Sequence, residues 1–385
     1  MNATPDPRAI RAFLKDAHAD FAAAVGAWAV RELGTRPEPA DDAAARIEAR
    51  VLLVAMGEGG WLEPIRRGDW RACCLAREAL AAASPLADAV FALQALSVVP
   101  LQLGDNDAMR ERWLDDAIAG RAMGAFAMTE REAGTDVAAM TTTARREGDH
   151  YVLNGRKAFI SNAGIADFYN VFATTDPAAG GKGISCFVVP ADTRGFRFER
   201  ALVLSSPHPL GEIAFDDCRV PATHRLGEEG KGLALGLKTL DRLRPTVGAA
   251  ACGMGARALA EALAHARTRR QFGKPIAEFQ LVQEKLARMA TDLDAARLLV
   301  YRAAWQADGG IPRNTLAAAM AKSFATEAAQ RIVDDAVQVL GGTGVLASHP
   351  VDRLYRSVRA LRIYEGTTEI QHLVIAAQLL AEAGA

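Results

Sequence analysis

A chain of 385 residues exceeds one ordinary hydrophobic core, so two or three packed units are expected. Its 50% apolar and 24% charged residues are the balance of a soluble globular protein, and a net charge of −1 provides no basic field for nucleic acid. Cys73, Cys74, Cys186, Cys218 and Cys252 lack a paired CxxC spacing and are odd in number, so no metal site or disulfide framework is expected. No basic-then-apolar leader and no run of about 18 uncharged apolar residues stands out. The expectation is a cytoplasmic protein without a membrane span.

Residues 1–122 are rich in Ala, Leu, Arg and Glu, which favours helices, and Pro37, Pro39, Pro64, Pro85 and Pro100 divide them into short ones. From residue 123 the composition changes. Tyr151-Val152-Leu153-Asn154-Gly155-Arg156 reads as a hairpin turning at Asn-Gly, and Tyr169–Thr174, Ser185–Pro190, Phe196–Arg200 and Glu212–Phe215 read as strands. From residue 230 helical periodicity returns. Val282, Leu286, Met289, Leu293, Ala296 and Val300 form one apolar stripe, and Leu233, Leu237 and Leu240 a shorter one that Pro245 is expected to interrupt or kink. The layout is a helical domain at 1–122, a β domain at 123–229 and a helical bundle at 230–385.

Four segments could carry chemistry. Phe126–Asp136 enters the β section with Thr129 and Thr135 as possible caps, and Lys157–Gly164 ends a strand in a hydroxyl, an amide and small residues, the donors that the edge of a planar heteroaromatic cofactor requires. Arg267–Pro275 is a basic run, able to pair with phosphates or simply to be solvated. Gln338–Gly344 is a glycine-rich turn that lacks the Lys of a P-loop and also reads as a helix C-cap. A fifth element, Ile363-Tyr364-Glu365-Gly366-Thr367-Thr368-Glu369-Ile370-Gln371, places Glu365 at a helix start. Glu365 is either a solvated turn carboxylate or a general base whose pKa is raised by apolar neighbours.

In this order, the segments resemble the acyl-CoA dehydrogenase family of flavoproteins. The resemblance runs from about residue 123 to 385 through Thr-Glu-x-x-x-Gly-Thr-Asp, Asn-Gly-x-Lys before Phe-Ile-Ser-Asn, Phe-Asp-Asp-x-x-Val-Pro, Asp-x-x-Arg-Pro, Arg-x-Gln-Phe-Gly-Lys-Pro-Ile, Gln-x-x-Gly-Gly-x-Gly and Ile-Tyr-Glu-Gly-Thr-Thr-Glu-Ile-Gln. It implies a mixed α and β fold: an N-terminal helical domain, a middle β-barrel or sandwich and a C-terminal four-helix bundle. It also implies FAD, an acyl-CoA substrate, an electron-transfer flavoprotein as acceptor and a homotetramer built as a dimer of dimers.

Carried over residue by residue, the resemblance sets Phe126, Met128, Thr129, Gly134 and Thr135 along the flavin, and Phe159, Ile160 and Ser161 on its ring. Arg269, Gln271, Phe272, Gln338, Gly341, Gly342, Thr367 and Glu369 would hold the ADP portion. Thr135, Asp241, Arg244, Tyr364 and Gly366 would meet substrate. Glu365 matches the family's base, which removes the α-proton of the thioester while the β-hydrogen leaves as hydride to flavin N5. The alternative base position, immediately before the arginine of Asp-x-x-Arg, holds Leu243.

Three departures stand out. The first motif lacks its usual proline after Thr129-Glu130, Phe159 stands where Trp is common, and Ser205-Ser206-Pro207-His208-Pro209-Leu210-Gly211 is unusual. His208 is expected to be a surface loop residue rather than a substrate contact. Competing readings on the same fold are an acyl-CoA oxidase, a desulfinase and a DNA-associated flavoprotein; the intact Tyr-Glu-Gly-Thr opposes the second and the near-neutral charge the third.

Overall fold

The computed structural model describes residues 4–311 and 314–383. Six helices come first: α1 (Asp16–Leu33), α2 (Asp42–Glu58), α3 (Glu63–Arg67), α4 (Trp70–Ala83), α5 (Pro85–Leu103) and α6 (Asp107–Ile118). Eight strands follow: β1 (Gly124–Ala127), β2 (Thr143–Glu147), β3 (His150–Ser161), β4 (Phe168–Thr174), β5 (Ile184–Pro190), β6 (Phe196–Ala201), β7 (Leu210–Pro221) and β8 (Arg225–Leu226). The chain then returns to helix as α7 (Gly232–Thr268), a small β9–β10 hairpin (Arg270–Gln271, Lys274–Pro275), α8 (Gln280–Asp308), α9 (Thr315–Leu340), α10 (Pro350–Leu361) and α11 (Thr368–Ala383). The expected succession of helices, sheet and helices is the one observed.

Packing divides the chain into two compact units. The first collects residues 1–37, 68–88 and 241–385; the second collects 38–67 and 89–240. In the first, α8 packs on α9, α9 on α10 and α11, and α4 on α1 and α8. Within the α8 stripe, Met289, Leu293, Ala296 and Val300 are buried, whereas Val282 and Leu286 are only partly covered.

In the second unit the strands run in the order β6-β7-β3-β2-β4-β5-β8, with β1 parallel to β4. The two halves of this sheet join through a single pairing of Thr143 with Thr174. Tyr151, Leu153, Ile213 and Phe215 of one half share a buried core with Tyr169, Val171, Phe187 and Val189 of the other, as in a sandwich.

Three sequence expectations change. Asn154-Gly155 is not a hairpin turn: β3 runs straight through it, and the register shifts between Leu153 and Gly155. Gly155 sits at φ 145° against Thr142, where a Cβ would come within 2.6 Å of the Thr142 hydroxyl, so the glycine serves a bulge and the close approach of another strand. Neither Pro245 nor Pro100 interrupts its helix: α7 continues from Gly232 to Thr268, and α5 from Pro85 to Leu103. Finally, α5 is long and apolar enough by length and composition to cross a membrane, but 78% of its most apolar window is buried in the protein. Gln94, on this helix, donates to the carbonyls of Ala117 and Ala122 and accepts from the Gly124 N–H, the behaviour of a core helix.

Candidate active site

Between α10 and α11 the backbone turns left-handed twice in succession. Glu365 has φ 56° and Gly366 φ 96°. A non-glycine residue in that region costs about 1–2 kcal/mol and persists only where its surroundings fix it. Here they do. The Glu365 carbonyl accepts from Arg244 Nε at 3.1 Å, and the Gly366 carbonyl accepts from Lys322 Nζ at 2.7 Å and Gln371 Nε2 at 3.2 Å. The Ile370 N–H bonds to Thr367 Oγ1, so the threonine cap read from sequence is present beside the strained residue. Thr368 and Arg362 both bond to Glu327, closing the base of the turn.

The Glu365 carboxyl is held in an environment with two opposing influences. Its Oε2 is buried without a hydrogen-bond partner. Burial raises its pKa, while Arg77, Arg244 and Lys322 pull it back and Asp88 adds to the rise. Arg77 is 1% exposed, doubly bonded to Asp88 at 2.8 and 2.9 Å, and donates to Thr246 Oγ1. Lys322 is fully buried, which brings its own pKa down to about 8 against the pull of Glu365. Leu243 is buried and offers no second carboxylate. An unpaired carboxylate oxygen with three cations around it and a raised pKa is equipped to take a proton from carbon.

The structure gathers Asp241, Arg244, Tyr364, Glu365 and Gly366 around this turn. Asp241 accepts from Arg244 Nη1 and from Thr315 Oγ1, so the pair is anchored to α7 and α9. Arg77 and Lys322 were not visible as site residues from the sequence, because each reaches the turn from a distant helix and neither belongs to a motif. Thr367 is partly buried and Glu369 exposed at the start of α11. Gln271 and Phe272 lie on the β9–β10 hairpin, with Arg269 immediately before it, and the turn residues Phe272 and Gly273 take φ 50° and 81°. Phe272 is 94% exposed, and Gln338, Gly341 and Gly342 are exposed at the end of α9.

In the sheet unit, Phe126, Met128 and Thr129 lead out of β1 beside β3. The Thr129 carbonyl accepts from the Ala158 N–H, and the Met128 carbonyl from Lys157 Nζ. Lys157 also donates to Glu130 Oε1 at 2.9 Å, and Glu130 accepts from the backbone N–H and hydroxyl groups of Thr141 and Thr142. Phe159 stands out in this well-packed strand: φ is 56° at a register shift, and its ring is 54% exposed. Ile160 turns its side chain into the core, so only its main chain can meet a ligand. Gly134 and Thr135 lie on an exposed loop, and nothing fills the space where a Gly134 Cβ would stand. The exposed Phe159, the open space at Gly134 and the Ser161 hydroxyl each suit contact with a flat heteroaromatic ring.

His208 departs from expectation. It is half-buried, its Nε2 lies 2.9 Å from Ser161 Oγ, and the neighbouring Pro209 carbonyl accepts from the Asn162 N–H. These bonds draw its loop onto the strand end instead of leaving it in solvent. A second polar cluster, His18, Asp69 and Asp308, has ligand atoms close enough for a metal. His18 Nδ1 accepts from the Lys15 N–H, so Nε2 carries the proton that it offers to Asp69, while Asp308 is taken by Arg71 and the Trp70 N–H. The imidazole therefore has no lone pair for an ion.

Residues 125–218 match the family model for the acyl-CoA dehydrogenase middle domain, and residues 230–380 that for the acyl-CoA dehydrogenase C-terminal domain. A probable acyl-CoA dehydrogenase of Mycobacterium tuberculosis is 38% identical over 375 residues, 95% of this chain and 96% of that protein. The solved butyryl-CoA dehydrogenase of Megasphaera elsdenii aligns with a TM-score of 0.87 at 34% identity, covering 95% of this chain and 99% of the other. A chain from the electron transferring flavoprotein structure of Acidaminococcus fermentans aligns with a TM-score of 0.90 at 36% identity, covering 95% and 98%. These matches span the strained Glu365 turn and the strand that presents Phe159, and with them this chain belongs to the acyl-CoA dehydrogenase family.

Proposed function

We propose that the protein removes the α-proton and β-hydrogen of an acyl-CoA thioester to give the trans-2-enoyl-CoA, with Glu365 as the base. The observation that carries this reading is the buried, unpartnered Oε2 of Glu365 on a turn that its neighbours hold in a strained conformation. A carboxylate removes a proton next to a thioester carbonyl only when that carbonyl is polarised by fixed donors. The left-handed turn fixes the direction of the Glu365 main chain, and Arg244, Lys322 and Gln371 keep it there. Burial raises the Glu365 pKa and so its basicity, while Arg77, Arg244 and Lys322 oppose that rise and favour the ionised form that accepts the proton at Oε2.

Phe159 and the main chain of Ile160, with Ser161, Met128, Thr129, Gly134 and Thr135, would hold the isoalloxazine ring of FAD. Arg269, Gln271, Phe272, Gln338, Gly341, Gly342, Thr367 and Glu369 would hold its ADP portion. Bound FAD supplies the electron-pair acceptor for the β-hydrogen. The similarity to the Acidaminococcus chain supports an electron-transfer flavoprotein as the onward acceptor, and the exposed Phe272 of the β9–β10 hairpin is in keeping with a homotetramer in which that hairpin is covered.

The test is anaerobic bleaching of the FAD-loaded protein with a panel of short, branched, cyclic, aromatic and long acyl-CoAs. Glu365→Gln should lower the bleaching rate by about 10²–10⁴-fold while FAD stays bound. Full activity in that variant would remove Glu365 as the base. Rapid oxygen consumption with no added acceptor would move the assignment to an oxidase.

A further inference from the structure

The loop from 205 to 211 has no part in the proton transfer, yet it delivers an imidazole to the end of β3. His208 Nε2 lies 2.9 Å from Ser161 Oγ, and Nδ1 is buried with no hydrogen-bond partner. Burial, with Arg46 nearby, brings the His208 pKa down to about 4, and Asp42 only partly offsets this, so the ring is neutral and carries one proton. That proton is on one of the two nitrogens. On Nδ1 it would be a buried N–H with no acceptor, a rarer arrangement than an unpaired lone pair. The loop is firmly seated: Arg46 bonds to the carbonyls of Ala163 and Leu210, and the Leu202 N–H to the Leu210 carbonyl.

We propose that His208 is a positioning residue that donates from Nε2 to Ser161 Oγ and so reserves the Ser161 O–H for donation to the cofactor ring. With one lone pair of Oγ taken by His208, the hydroxyl hydrogen is left to point away from the loop. The inference rests on the reading of Ser161 as a flavin contact, and the measurements separate the two.

In the apo-protein, ¹⁵N histidine NMR, assigned with His208→Gln, should show Nε2 protonated; a protonated Nδ1 overturns the proposal whatever the cofactor does. In the loaded protein, His208→Leu should weaken FAD binding about tenfold and shift the flavin absorbance, and His208→Gln, which keeps a donor, should restore most of both. In a Ser161→Ala background His208→Leu should have no further effect, and an undiminished tenfold loss there would overturn the coupling. If Ser161→Ala alone leaves FAD affinity and spectrum unchanged, the flavin reading of Ser161 fails, and the NMR result still decides the His208 donation. Thermal unfolding of each apo-variant checks that the fold is intact.

Discussion

As the proposed base, Glu365 must be ionised to act and basic enough to attract a proton from carbon, and the groups around it bear on both demands. Lys322 is one of the three cations that pull its pKa down, and its ammonium also grips the Gly366 carbonyl. Lys322→Met should therefore raise the Glu365 pKa. Because the ionised form is the active one, the acid limb of kcat/KM should move to higher pH by about one pH unit; Lys322→Arg should leave it in place if its longer side chain still reaches. A limb unmoved by Lys322→Met would show that Arg77 and Arg244 suffice. Glu365 was legible as a candidate base because Tyr364, Glu365, Gly366 and Thr367 are contiguous and the alternative position is Leu243. Its electrostatic partners were not: Arg77 and Lys322 arrive from α4 and α9, and no local pattern connects them to the turn.

The Glu130–Lys157 pair is the clearest interaction at the level of elements, because it ties the segment after β1 to β3. Burial alone would raise the Glu130 carboxyl, but Lys157 and the Thr141 and Thr142 donors together bring it down to about 2 from 4.5. Burial brings Lys157 down to about 8 from 10.5 despite Glu130. The two changes act in opposite directions on stability at neutral pH, and breaking the pair exposes the cost of burying one charge alone. Lys157→Met should cost about 3–5 kcal/mol in chemical denaturation, because it strands a buried carboxylate, and adding Glu130→Gln should recover much of that loss. The Glu130 contribution is present above its unfolded value of 4.5 and is lost as pH falls towards 2, so the wild type should lose stability across that window. The sequence displayed Asn-Gly-x-Lys and Thr-Glu as separate motifs, and local turn chemistry read the first as a hairpin. Only the arrival of Thr142 against Gly155 reveals a bulge, a contact that no window of neighbouring residues contains.

Across the whole chain, the order of helical and β sections was readable from periodicity and composition, whereas the packing partners of the individual N-terminal helices were not. Helices read as one N-terminal domain are shared: α1 and α4 pack with the C-terminal helices, while α2 and α6 belong with the sheet. The reason is burial of charge as much as of apolar surface. Glu78 of α4 is bonded by Arg297 and Tyr301 of α8, and Arg77 is set beside Glu365. All five cysteines are likewise buried and free, with thiol pKa values raised by burial. A thiol reagent such as DTNB should find none of them in the native protein and five in denaturant; rapid native labelling of one would reveal local opening. The discontinuous helical unit also has a consequence for biosynthesis. A ribosome extending the chain at about 5–20 residues per second releases Arg77 roughly 15–60 s before Glu365. For that interval α4 carries Arg77 and Glu78 without the C-terminal residues that neutralise or surround them, so the sheet unit can assemble during translation while the Glu365 turn must wait for the last helices to emerge.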